Sequence, residues 1–180
     1  MHRRDLLRAF GAATALALLP HESHAAWTRV ASGIRPADGL SAAHLALIGA
    51  IADTLLPRTD TPGAVDVGVP AFVDVIASEN YSDADRAAFV AGLDALTQQL
   101  ASAAGIPFGA LTPEYRGMAI EAMERVSDRR TEPARTYWRL KGLIVHGYFT
   151  SERVQKDVLK VEIMPGAFNG SAPMPLRGGR

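Results

Sequence analysis

Between Ser41 and Phe149 apolar residues recur three and four positions apart, in runs bounded by proline, glycine and helix-capping residues. That period puts each run on one face of an α-helix, and the faces must then be buried against one another. The first run covers about 42–56 behind a Ser41 N-cap, with Leu45, Ile48, Ala52 and Leu55 on one face and Leu47 and Ile51 beside them, and Pro57 ends it. The width of this face predicts a central helix. A helix over about 71–79 follows, with Phe72, Val75 and Ile76 facing in. Ser82 and Asp85 make a capping-box pattern ahead of the stripe Phe89, Leu93, Leu96, Leu100, which Gly105-Ile-Pro107 breaks. Thr112-Pro113-Glu114 starts another helix, whose expected buried face is Tyr115, Met118, Ala122, Met123 and Val126. Thr131 and Pro133 open a helix running to about Phe149. Tyr137, Ile144 and Tyr148 share one of its sides, and Trp138, Val145 and Phe149 the adjacent side. A short helix is expected from Ser151 to about Val158, and Val158 to Ile163 alternates as a strand or an extended arm would.

The expectation is therefore an all-α domain of about five or six helices, a length of 180 residues suiting one domain with a real core. Two irregular stretches stand out. Residues 57–70 hold three prolines and two glycines, and each proline fixes its own φ, so the loop is expected to be ordered. The stretch 160–180 is rich in proline and glycine and reads as an extended tail that orders only where something packs on it.

The N-terminus reads as an address. Arg3 and Arg4 stand side by side, Leu6 and Leu7 follow, and a mildly apolar run from Ala9 to Leu19 ends at Pro20. The run is shorter than the roughly 20 residues that span a bilayer and suits a signal peptide. Paired arginines before such a run are the twin-arginine pattern. Ser23-His24-Ala25 offers small residues at the −3 and −1 positions, so cleavage is expected after Ala25, with 1–25 as signal and 26–180 as the domain. Residues 26–40 read as an irregular lead-in.

Little in the mature chain points to chemistry. Over all 180 residues nineteen Lys and Arg balance nineteen Asp and Glu with no basic stripe, which argues against nucleic-acid binding. There is no cysteine, hence no disulfide, thiolate metal site or covalent haem attachment. No glycine-rich phosphate loop, paired-histidine motif or nucleophile elbow is present, Thr150-Ser151 included. Asp53, Asp60, Asp66 and Asp74 cluster around the proline loop and suit either a calcium or acid–base site or plain capping and turn work. His44 and His146 are the two histidines left after residue 25, each a ligand or a structural side chain, and the aromatic group Tyr137, Trp138, Tyr148 and Phe149 is core or a cofactor box. No catalytic, cofactor or metal site is expected in this chain. The twin-arginine route moves folded, often cofactor-loaded proteins, so a chain with its signal and no cofactor motif calls for a second protein.

Three segments, in order, resemble the gluconate 2-dehydrogenase subunit 3 family: Ile51-Ala-Asp-Thr-Leu-Leu-Pro57 running into Thr61-Pro-Gly-Ala-Val-Asp-Val-Gly-Val-Pro70, Leu143-Ile-Val-His-Gly-Tyr-Phe-Thr-Ser-Glu152, and Met164-Pro-Gly-Ala-Phe-Asn-Gly170. The likeness covers about residues 41–170; Arg153-Val154 departs from it where members often have a glycine. The resemblance implies a non-catalytic small subunit whose twin-arginine signal, read by the twin-arginine translocase, exports a folded FAD-carrying large subunit of the glucose-methanol-choline oxidoreductase type. It implies a periplasmic complex at the inner membrane, with a multihaem cytochrome c as a further partner in such systems. The partner is expected at Pro57, Pro62, Gly63, Tyr148, Phe149, Met164, Pro165 and Phe168, in the loop, the second segment and the tail. The alternative is a stand-alone exported enzyme or binding protein using Asp53, Asp60, Asp66 and Asp74, or His146.

Overall fold

The structure, a computed structural model, describes residues 20–102, 105–126 and 128–160. Six α-helices follow in order: α1 (Pro20–Ala31), α2 (Ala42–Leu55), α3 (Val69–Glu79), α4 (Asp83–Ser102), α5 (Pro113–Glu124) and α6 (Ala134–Thr150). A 3-10 turn, Phe108–Ala110, precedes α5, and a π-helical turn, Val154–Val158, follows α6. No strand occurs among the described residues, in line with the all-α expectation. Of the alternating stretch 158–163, Val158 ends the π-helical turn and Leu159 and Lys160 form no strand, while 161–163 lie outside the described residues, as do the signal residues 1–19 and the rest of the tail.

Two of the predicted starts carry a side-chain cap, at Ser41 and Ser82, whereas Thr112 precedes α5 without a side-chain cap bond. Ser41 is extended (φ −62°, ψ 157°) and its Oγ accepts the His44 N–H at 3.1 Å, filling one of the open donors at the start of α2. Ser82 Oγ accepts the Asp85 N–H at 3.2 Å and donates to the Asp85 carboxylate at 2.7 Å, so the capping pair closes through the side chains. Pro113 occupies the first position of α5, where a missing N–H costs nothing.

The centre of the molecule is α3. Seven of its eleven residues are buried (Val69, Phe72, Val73, Asp74, Val75, Ile76, Ala77), and α1, α2 and α6 pack around it. A helix apolar nearly all round belongs inside a core. Helix α2, which the sequence marks as central, buries Leu47, Ile48, Ile51 and Ala52 and leaves Leu45 and Leu55 half-buried. The stripe Phe89, Leu93, Leu96, Leu100 of α4 is buried as expected and faces α6. There the helices approach so closely that a Cβ on Gly92 would stand 1.9 Å from Thr136 Oγ1 and 2.9 Å from its Cβ. Gly92→Ala is expected to lower stability by about 1–3 kcal/mol through overpacking. In a Thr136→Ala background the same exchange should cost less, because two of the three obstructing atoms are gone. Thermal unfolding of the four proteins of this cycle measures both.

Two expectations fail. Residues 26–31 are not an irregular lead-in but the second half of α1, which packs on α3 and α6. The buried face of α5 keeps only Met123 of the expected set and adds Ile120. Ile120 and Met123 are buried, whereas Tyr115 and Met118 are 62% and 63% exposed and Ala122 and Val126 also face solvent. The helix docks on α2 through its other side, with Arg116 Nη1 donating to Asp53 Oδ2 at 3.2 Å. It is tied to α6 by Glu124, which accepts from the buried Tyr137 hydroxyl at 2.6 Å and from Lys141. Those donors hold the Glu124 carboxyl below the usual range, while burial and Glu124 push the Tyr137 hydroxyl up.

Candidate functional site

The first two familiar segments meet at one end of the core. The proline loop begins where α2 stops at Leu55 and folds back on itself: Ala64 N–H donates to Leu56 O at 2.9 Å and Thr59 N–H to Thr61 O at 3.0 Å. Gly63 sits at the pinch, where a Cβ would come within 2.7 Å of Arg58 N, so no larger residue fits without moving backbone. Asp66 accepts from Gly63 N–H at 2.9 Å and is gripped by the Arg58 guanidinium, which holds its carboxyl below the usual carboxylate range. Gly68, at φ +84°, then turns the chain into α3. The loop is closed on itself by these backbone bonds and by the Arg58–Asp66–Gly63 contacts.

The C-terminal turns of α6 meet this loop residue by residue. Tyr148 is buried and its hydroxyl donates to the Pro62 carbonyl at 2.9 Å, tying loop to helix. Gly147 lies against the Phe72 ring, which a Cβ would approach to 2.7 Å. His146 Nε2 is 2.7 Å from Ser23 Oγ on α1, and Thr150 Oγ1 accepts from Trp27 Nε1 at 3.1 Å. Burial holds His146 below its ordinary pKa, so this contact pairs a hydroxyl with a neutral imidazole at pH 7. Ser151 Oγ donates to Tyr148 O at 2.8 Å and closes the helix. The run from His146 to Ser151 is thus a junction joining α1, α3 and the loop.

Of the residues expected at a partner surface, Pro57 and Phe149 are exposed, Phe149 by 43%, Pro62 is half-buried, and Gly63 and Tyr148 are inside. Phe149 shares its outward face with Val145 one turn back. Met164, Pro165 and Phe168, like Arg3, Arg4, Leu6 and Leu7, lie outside the described residues, and Ala25 is exposed on α1. The four carboxylates are not brought together. Asp53 pairs with Arg116, Asp60 accepts from Thr59 Oγ1, Asp66 holds Arg58 and Gly63, and buried Asp74 accepts the Leu40 N–H at 2.6 Å and faces Arg35 at 3.3 Å. His44 pairs with Asp94 at 2.8 Å. Among the described residues no three His, Asp or Glu side chains are gathered to hold a metal ion.

Sequence reasoning missed two features here. One is the uncovered stripe of Tyr115 and Met118. The other is the contribution of Ser23 and Trp27, which a helical period of 23, 26, 27 and 30 would have revealed had the leader not been expected to run through Ala25. A sequence model of the family described as gluconate 2-dehydrogenase subunit 3 matches residues 42–166. Searches of curated proteins and of solved structures give no match.

Proposed function

The chain belongs to the gluconate 2-dehydrogenase subunit 3 family, a family of dehydrogenase-complex subunits, and from that premise we propose that it is the non-catalytic small subunit of a periplasmic, FAD-dependent sugar or alcohol dehydrogenase. The family match, which runs through both described segments of the loop–helix junction and into the tail, carries this reading. In it the large subunit, of the glucose-methanol-choline oxidoreductase type, holds FAD and oxidises the substrate. The small subunit stabilises it and lends it the Arg3-Arg4 signal, so the folded flavoprotein crosses as a passenger and the complex works at the inner membrane, with a multihaem cytochrome c as electron acceptor. The separate pairing of Asp53, Asp60, Asp66 and Asp74 supports structural roles, in turns at Asp60 and Asp66 and in tertiary contacts at Asp53 and Asp74, over the stand-alone enzyme.

The surface best suited to the large subunit is the outer side of the junction, where Phe149 and Val145 are uncovered above the buried Tyr148–Pro62 tie. An exposed aromatic on rigid backbone is the kind of side chain that dominates an interface. Phe149→Asp is expected to weaken capture of the flavoprotein subunit at least about tenfold, while lowering the stability of the isolated chain by only about 1–2 kcal/mol, through the lost edge contact with Tyr148 and a negative charge in the last turn of α6. Co-purification of the two chains and thermal unfolding of this one measure the two effects. Undiminished capture would remove the interface from this face. If the parent chain captures no flavoprotein encoded beside it, the subunit reading itself is wrong.

A further inference from the structure

We propose that Pro20–Ala31 is a resident helix of the folded domain and that the bond after Ala25 stays uncut once the chain has folded. The inference stands on how α1 is built in. Ser23, Ala26, Trp27 and Val30 fall at i, i+3, i+4 and i+7, one face of a helix, and that face lies on α3 and α6. Ser23 and Ala26 are each 3% exposed. Ser23 Oγ meets His146 Nε2 at 2.7 Å, the Trp27 ring stacks on Phe72 (centroids 4.9 Å apart, 24° between planes), and Trp27 Nε1 donates to Thr150. On the outer side Arg29 Nε donates to Glu79 Oε1 at 3.0 Å.

A peptidase that recognises small residues at −1 and −3 reads side chains two positions apart, which share a face only in an extended strand. In α1, Ser23 and Ala25 point about 200° apart, at 100° per residue. Ser23 is turned into the core and Ala25 toward solvent. Cleavage after Ala25 would also be costly afterwards. It leaves only Ala26–Ala31 of the helix, well under the about 12 residues at which isolated helices become even marginal. It removes Ser23 from His146 and creates a charged amino group at a position now buried. The cellular part of the inference rests on the proposed export route, because a translocase that moves folded chains presents α1 already docked.

Two measurements test it. The chain recovered from the periplasm is expected, by intact mass, to begin at or before Pro20; a chain beginning at Ala26 would overturn the inference. If no chain reaches the periplasm, the export reading falls, and hydrogen exchange on the purified full-length chain still decides the point. The amides of residues 24–31 are expected to exchange at least about a hundredfold more slowly than in an unstructured peptide, as in a cooperatively docked helix. Exchange at free-peptide rates would show that α1 is not part of the fold.

Discussion

Changing Arg3 and Arg4 together to lysine is expected to leave the sugar-oxidising flavoprotein activity in the cytoplasm while the complex still assembles. The exchange keeps both positive charges and leaves Leu6, Leu7 and the apolar run untouched. It removes only the two planar guanidinium groups, whose fixed fork of donors an ammonium does not reproduce. A receptor-read address is sensitive to that difference in a way that a general electrostatic attraction is not. The junction of loop, α1, α3 and α6 lies at Ser23 and beyond, so the surface proposed for the large subunit is unchanged. Fractionating cells, assaying substrate-dependent dye reduction in each compartment and pulling down the small subunit from the cytoplasm separates export from assembly. Activity that still reached the periplasm would refute the escort role and leave the subunit role standing.

Phe72→Ala is expected to cost about 3–5 kcal/mol, the usual range for deleting a fully buried aromatic ring. That is a large part of the 5–15 kcal/mol by which domains are normally stable. At about 2–4 °C per kcal/mol for a chain of this size, the midpoint of thermal unfolding should fall by roughly 10 °C. Phe72 is chosen because it is 0% exposed in the first turn of α3 and touches two neighbours at once: the Trp27 ring of α1 and the backbone of Gly147 on α6. The second contact makes the test specific. Gly147→Ala alone drives a methyl group to within 2.7 Å of the Phe72 ring and should destabilise by about 1–3 kcal/mol. Combined with Phe72→Ala, the same methyl enters vacated space and the pair should lose less than the sum of the single changes. Strict additivity would mean that ring and glycine do not oppose each other, and that Gly147 is a glycine for some other reason.

These two experiments probe different layers, and the layers were not equally legible. Helix existence and starts follow from local chemistry. Ser41, the Ser82–Asp85 pair and Pro113 act on donors within their own first turn, so their effect is written in adjacent residues. The buried stripe of α4 is likewise clear, since Phe89, Leu93, Leu96 and Leu100 are the only run of large apolar groups on that helix. The rigidity of the proline loop follows from fixed φ angles and close backbone approach at Gly63.

The face of α5 was not legible for the opposite reason. That helix has two apolar sides, one through Tyr115, Met118 and Ala122 and one through Ala119, Ile120 and Met123, and period alone ranks them equally. Which side is covered depends on the partner helix: α5 docks on α2 with Ile120 and Met123 buried and with Arg116 donating to Asp53. The sequence by itself determined the helical class, the caps, the ordered loop and the family motifs, because each of these is decided by residues within a few positions of one another. Only the tertiary structure decided that α3 is the centre, that Tyr148 and Gly63 are internal while Phe149 is uncovered, and that Ser23 and Trp27 pack against α6 and α3. Each of those outcomes rests on a contact between residues far apart in the chain, such as Ser23 with His146 or Tyr148 with Pro62, and no local period encodes which distant side chain will be there.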